Sequence, residues 1–149
     1  MTPRTGNLIG IARVAELRSP LEELTEARIS MEAGIAGDAR GRKRDRQVTV
    51  LFREGWDDAC RDLGMQLPWL VRRANLFVEG LAPPRAAGGR IAIGNVVLEV
   101  TMETDPCFLM EKAHVGLKAA LTPAWRGGVC CKVLAGGAIR IGDAVELTP

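Results

Sequence analysis

A chain of 149 residues with 20 basic and 18 acidic side chains, a formal charge of +2 and a hydrophobic fraction of 47% is long enough to bury a real core as one domain. So even a balance speaks against a dedicated nucleic-acid binder, which carries a clear basic excess. An aromatic content of 4% with no Tyr leaves few platforms on which single strands could stack.

No apolar run approaches the length that spans a bilayer, and the opening Met1-Thr2-Pro3-Arg4-Thr5-Gly6 begins no secretory signal, because polar and charged residues soon interrupt every apolar stretch. Cysteines at 60, 107, 130 and 131 contain no Cys-x-x-Cys pair, so they form neither a disulfide framework nor a zinc spacing, and a reducing, cytoplasmic home is expected. His114 is the only histidine, and Ser19 and Ser30 are the only serines. Neither serine sits in a nucleophile-elbow pattern, and the chain has no Walker phosphate loop, no His-Glu-x-x-His zinc motif and no lysine motif for pyridoxal phosphate. Hydrolases of the common kinds are not expected on these grounds.

In chain order, residues 7–17 are rich in Ile, Val and Leu and are turned by Ser19-Pro20. Residues 27–33 alternate polar side chains with Ile and Met, as a half-buried strand does. Residues 47–52 (QVTVLF) are β-branched and apolar, which suits a core strand. The period then becomes helical over 53–63: Trp56, Ala59, Cys60 and Leu63 fall at i, i+3, i+4 and i+7, and Gly64 stops the helix. Cys60 therefore belongs to a buried helix face. Residues 76–78, 90–93 and 96–101 are strands, the last two joined by a tight turn at Gly94-Asn95. Residues 107–121 predict one or two helices broken near Gly116. Three further strands at 129–134, 138–141 and 144–147 close the chain, turned by Gly136-Gly137 and Gly142-Asp143. About eight short strands with few helices predict a mainly β fold, a closed or nearly closed β-barrel, with no domain boundary or internal repeat.

Cys107 follows Thr104-Asp105-Pro106 where an apolar strand runs out and a helix begins. Asp is a favoured N-cap and Pro a favoured first helical residue, which would put the thiol in the first turn. There, free N–H groups and the helix dipole favour an anion, so the cysteine can serve as nucleophile or metal ligand. Asp105 opposes this by repelling a thiolate, and a buried structural thiol is the alternative.

Three basic segments could complete a site. Asp38-Ala39-Arg40-Gly41-Arg42-Lys43-Arg44-Asp45-Arg46 is a loop run that either traps phosphate or is simply solvated. Arg72-Arg73 lies between Leu70-Val71 and Leu76-Phe77, so at least one guanidinium enters apolar surroundings and needs an anionic partner or several acceptors. Arg126 adjoins Gly127-Gly128. Vicinal Cys130 and Cys131 sit in a strand and point to opposite faces, one to the core and the other to solvent or the barrel. His114 has no neighbour at ligand spacing.

Taken together, Gly37-Asp38, Arg46 to Leu51, Arg73-Ala74-Asn75-Leu76 with Gly80-Leu81, Asp105-Pro106-Cys107, Gly127-Gly128-Val129 and the run from Gly136 to Val145 resemble, in order and spacing, the motifs of the MOSC family, named for the C-terminal region of molybdenum cofactor sulfurase. The resemblance runs from about Gly6 to the end of the chain, so residues 1–149 are taken as one MOSC-like domain. It implies a barrel of the pyruvate-kinase β-barrel-like kind.

The family's invariant cysteine falls on Cys107. In relatives that reduce N-hydroxylated compounds, its counterpart ligates the molybdenum of the pterin cofactor (molybdopterin). In the sulfurase setting it is proposed to carry sulfane sulfur, as a persulfide, from a PLP-dependent cysteine desulfurase. An Arg-x-Asn element of cofactor-binding relatives matches Arg73-Ala74-Asn75. The resemblance thus implies Cys107 as catalytic residue and metal ligand, and a cofactor-binding set of Arg73, Asn75, Arg72, Asp38, Arg46 and Asp105. The chain lacks the extra N-terminal domain of the larger reductases, the desulfurase domain and the iron–sulfur domain. A desulfurase or an electron-donating reductase would therefore act in trans, with no nucleic acid and no membrane involved.

Overall fold

In the computed structural model, which describes residues 3–149, the chain runs β1 (Arg4–Arg13), β2 (Glu22–Leu24), β3 (Glu26–Ser30), β4 (Gly34–Ile35), β5 (Val48–Phe52), α1 (Arg53–Leu63), β6 (Leu76–Glu79), β7 (Arg90–Ile93), β8 (Val96–Glu103), α2 (Phe108–Ala113), α3 (Leu117–Leu121), β9 (Val129–Ala135), β10 (Gly137–Arg140) and β11 (Ala144–Thr148). Single 3₁₀ turns lie at Trp69–Arg72 and Pro123–Trp125.

Seven strands close a barrel in the order β1, β11, β7, β8, β9, β5, β6 and back to β1. All neighbours are antiparallel except β5 and β6, whose parallel join needs a crossover, supplied by α1 and the turn after it. Closure removes the free edges that an open sheet would expose. β2 hangs on the end of β1, and β3, β4 and β10 make a small separate sheet.

Alternation decides what faces inward. In β8, Val96, Leu98 and Val100 are buried while the residues between them are half-buried, and they pack inside the barrel with Leu8, Ile11, Phe52, Val78, Ile91 and Leu147. Each such side chain contributes about 1.5–3 kcal/mol of burial. β5 departs from alternation because both its faces are covered. Val50 and Phe52 point into the barrel, whereas Leu51 joins a second core with Trp56, Cys60, Phe77, Leu117 and Leu121, under α1 and α3.

The helix expected at 53–63 is present with those bounds and ends at Gly64, whose left-handed backbone (φ 69°) lets its N–H reach the Arg61 carbonyl. Cys60, 2% exposed, lies in the second core as expected. Cys60→Ala is expected to cost about 1 kcal/mol in a denaturant melt and to leave the chemistry of Cys107 untouched. Altered Cys107 chemistry at full stability would contradict this.

The first strand stops at Arg13, short of the expected residue 17. Val14 gives its N–H to the Asp38 carboxylate (2.9 Å) and not to a ladder partner. No helix among the described residues is long and apolar enough to cross a membrane.

Candidate functional site

A cavity of about 560 Å³ opens where the end of β8, the turn before β9, the basic loop before β5 and the Trp69–Arg72 turn converge. Six basic side chains line it (Arg18, Arg40, Lys43, Arg46, Arg72 and Arg73) against two acidic ones, Glu103 and Asp105. Cys107 shares the wall with Met102, Leu109 and Met110.

The adjacent arginines diverge. Arg73 takes a left-handed backbone (φ 65°, ψ 32°), which costs a non-glycine residue roughly 1–2 kcal/mol and swings the two guanidinium groups apart. Arg72 is buried, donating from Nε to the Gly127 carbonyl (3.0 Å) and from Nη2 to the Thr104 carbonyl (2.7 Å). Carbonyl acceptors thus satisfy it, and no carboxylate lies within ion-pair distance among the described residues. Burial pushes its guanidinium below the usual value, while the nearby Cys107 and Cys130 sulfurs push it back up. Arg73 instead donates from Nη2 to the Ser19 carbonyl (2.8 Å).

Gly127 makes the Arg72 anchor possible. A Cβ there would lie 2.7 Å from the Thr104 oxygen and 3.1 Å from Arg72 Nη2. Gly128 follows at φ 93°, with no room for a Cβ, which would stand 2.3 Å from the Val50 carbonyl oxygen. The pair of glycines lets the Thr104–Cys107 segment lie flat against the barrel wall, where the Thr104 N–H meets the Gly128 carbonyl (2.9 Å).

Cys107 is exposed. It is the N-cap of α2 in an extended conformation (φ −120°, ψ −178°), with no side-chain cap hydrogen bond. The helix therefore starts one residue after the thiol, not at Pro106 as the sequence pattern predicts. Asp105 does not cap α2, whose N-cap position is taken by Cys107.

The other expected site residues are placed as follows. Asn75 lines the cavity but is 1% exposed. Its Oδ1 accepts from the Thr49 N–H (3.0 Å) and hydroxyl (3.2 Å), and its Nδ2 donates to the Ala12 carbonyl (3.1 Å), bracing β5 against β1. The Asp38 side chain is fully buried, accepting at Oδ1 from Val14 and from Arg40 Nη2 (3.1 Å), while Oδ2 has no partner. Arg46 lines the cavity from the exposed basic loop.

Both vicinal cysteines are buried, so neither meets solvent, and they face opposite sides of the strand as expected. Cys131 is the one inside the barrel, and Thr104 lies over Cys130 with Oγ1 3.3 Å from its sulfur. Arg126 does not join the cavity. It pairs with Asp62 (2.6 Å) and the Ala120 carbonyl (3.0 Å) under α1. His114 turns its Nδ1 to the Val115 carbonyl (2.9 Å).

Sequence reasoning missed Arg18 and Glu103 as cavity residues and named Arg40 and Lys43 only as members of the basic run. Nothing in the basic run separates Arg40 from Arg42 or Arg44, because only the path of the loop turns the first inward. Glu103 reads as the tail of a strand.

Burial, then the Asp105 charge and a hydrogen bond with the Asp105 side chain, raise the Glu103 carboxyl above its ordinary value, against an opposing pull from Arg72. The folded chain holds that proton more tightly than the unfolded one. The resulting stability is fully present below the unfolded pKa and is lost as pH rises through the folded value. Glu103→Gln mimics the protonated form. It is expected to raise the melting midpoint at neutral pH and to leave it unchanged near about pH 3, below the carboxylate range. An equal gain at both pH values would mean that ionising Glu103 costs the fold nothing.

The MOSC domain family model matches residues 32–146. Among solved structures, the chain is similar to the YuaD protein from Bacillus subtilis (TM-score 0.82, 18% identity, covering 98% of this chain and 97% of that one). It is also similar to YiiM from Escherichia coli (TM-score 0.71, 17% identity, 96% and 70%) and to YiiM from Geobacillus stearothermophilus (TM-score 0.69, 16% identity, 97% and 73%). At these identities the likeness is one of fold. No curated protein matches the chain. The family match spans most of the sequence, including the segment that carries the exposed cysteine and the Arg-x-Asn element, and the fold agrees with it: the chain belongs to the MOSC domain family.

Proposed function

We propose that the chain acts as a single domain that binds the molybdenum cofactor in this cavity, with Cys107 as metal ligand, and reduces N-hydroxylated compounds. The observation that carries the reading is the exposed Cys107 thiol sharing one cavity with six cationic side chains. The residues suit the cofactor. A cysteine sulfur is the soft donor that molybdenum prefers, the cavity volume falls in the range of small-ligand sites, and Arg72 leaves a buried positive charge that an anionic ligand would neutralise. Bound there, the metal would supply the oxygen-atom chemistry, with electrons from a reductase acting in trans.

The chain's own part is to hold and orient. Arg73 neutralises the pterin phosphate, while Arg72 and Arg46 add positive charge elsewhere along the same cavity. Asn75 and Asp38 stiffen the wall from which the arginines project, and Asp105 meets polar groups at the mouth. Arg72 also ties down the Thr104 carbonyl, which sets where Cys107 stands.

A second reading, a sulfur carrier, is favoured by the surroundings of the thiol. Leu17, Met102, Phe108 and Leu109 are 63%, 37%, 59% and 36% exposed, and three of them line the cavity. An apolar rim of this kind suits a docking protein. In that reading the Cys107 thiolate attacks the terminal sulfur of a persulfide on a PLP-dependent cysteine desulfurase. The donor cysteine leaves as thiolate and Cys107 keeps the sulfur as a persulfide for delivery to a metal–sulfur centre. Both readings need a reduced thiol and so a cytoplasmic setting.

Metal and pterin analysis of protein purified from a molybdate-competent host decides between them. Stoichiometric molybdenum with pterin supports the reductase, metal-free protein with a persulfide on Cys107 supports the carrier, and neither signal would defeat both.

A further inference from the structure

We infer that Arg40 and Arg73 form a clamp for a doubly charged oxyanion at the Ser19 end of the cavity, and that Asp38 positions Arg40 without touching the ligand. The Asp38 side chain is 0% exposed whereas Arg40 retains 22% and lines the cavity, so only the arginine can meet a bound group. Three contacts hold the pair in place. Arg40 Nη1 donates to the Arg73 carbonyl, Arg40 Nη2 donates to Asp38 Oδ1, and the same oxygen anchors the start of the β1–β2 loop through Val14.

The result is two guanidinium groups on one stretch of the cavity wall, with the only contacting carboxylate among the described residues buried behind Arg40. Partial burial, then the Arg40 charge, push the Arg73 guanidinium below its usual value. Arginine nonetheless stays charged in proteins, so the folded chain carries the repulsion. The left-handed backbone at Arg73 adds strain at the same residue. A dianion bridging both forks would relieve the repulsion, though not the backbone strain, since guanidinium pairs phosphate through parallel N–H bonds.

The two ends of the cavity also differ. Arg72 is anchored to Thr104 and Gly127 on the Cys107 side, whereas Arg73 is anchored to Ser19. A ligand reaching both therefore has its reactive part at Cys107 and a phosphomonoester at the Arg40–Arg73 end. The assignment deepens the cofactor reading and rests on it in taking that phosphomonoester as the pterin's. The clamp itself requires no metal.

The test is titration of metal-free protein with inorganic phosphate, followed by calorimetry or ³¹P NMR, with acetate as the singly charged comparison. Arg40→Gln is expected to weaken phosphate binding about 10- to 100-fold, the loss of charge-assisted hydrogen bonds. Arg40→Lys should recover part of it. Asp38→Asn keeps an acceptor for Val14 and should weaken binding only several-fold, by loosening the fork. Arg140→Gln, on the β10 strand and paired with Glu26, should bind as the parent chain does.

Phosphate bound no better than acetate would overturn the clamp, as would an Arg40→Gln variant that binds phosphate normally. So would loss of binding on Arg46→Gln in place of Arg40→Gln. Molybdenum content reports separately on the cofactor reading. A phosphate-binding, molybdenum-free protein would keep the clamp and lose the reductase, and a molybdenum-loaded protein indifferent to Arg40→Gln would do the reverse.

Discussion

Cys107→Ala is expected to lose bound molybdenum and to lower turnover on an N-hydroxylated substrate by on the order of 100-fold or more, since even groups that only support a metal ligand are worth 10- to 100-fold. Folding should hardly change. The thiol is exposed and makes no capping hydrogen bond, which places the substitution among surface changes of about 0.5 kcal/mol or less. Elemental analysis, a turnover assay and a melt on the same preparation check all three points, and persulfide labelling tests the carrier reading. Undiminished metal, persulfide load and activity in the alanine variant would remove both functional readings and leave a barrel that holds some other anion in its basic cavity.

Asn75→Ala is expected to cost about 3 kcal/mol, because a buried amide with three hydrogen bonds leaves Thr49 and Ala12 groups without partners, at about 1–3 kcal/mol for each one that water cannot reach. For a chain of this size the melting midpoint should fall by roughly 10 °C. Asn75→Asp keeps the two contacts to Thr49 but sets a carboxylate oxygen against the Ala12 carbonyl, so it too should destabilise. A variant that melts normally yet fails to retain cofactor would show the amide turned toward the ligand and not into the wall. The resemblance to cofactor-binding relatives points to the ligand, whereas the hydrogen bonds point to the wall, and the melt separates the two.

The elements legible in the sequence were those whose signal is local. The Trp56, Ala59, Cys60, Leu63 spacing with Gly64 behind it is a complete helix statement, because period and stop are both written within one short segment. Likewise Gly94-Asn95 can hardly be anything but the turn between β7 and β8. The start of α2 was misplaced by two residues, because Asp105 and Pro106 suit a helix start by type but the chain stays extended through Cys107. Cys130 and Cys131 face opposite ways as a strand requires, but the burial of both was not legible, because Thr104 from a distant segment lies over Cys130.

The site divides the same way. Cys107 and the Arg72-Arg73 pair stood out by type and neighbours, but the opposite directions of the two arginines depend on one backbone conformation at Arg73. Arg40 was hidden among equivalent charges, and Asp38, singled out as a ligand contact, sits wholly behind it.

By itself, the order of residues determined the class of fold and the family, and it singled out the one cysteine that is exposed. Alternation, helical period and motif spacing are properties of neighbouring positions, and the chain carries them before it folds. Which cations meet that thiol, which carboxyl is shared and which amide is spent on the wall were decided only by tertiary structure. Those facts depend on side chains from Ser19 to Gly127 arriving at one place, and closing a barrel brings distant strands together in a register that no single segment encodes.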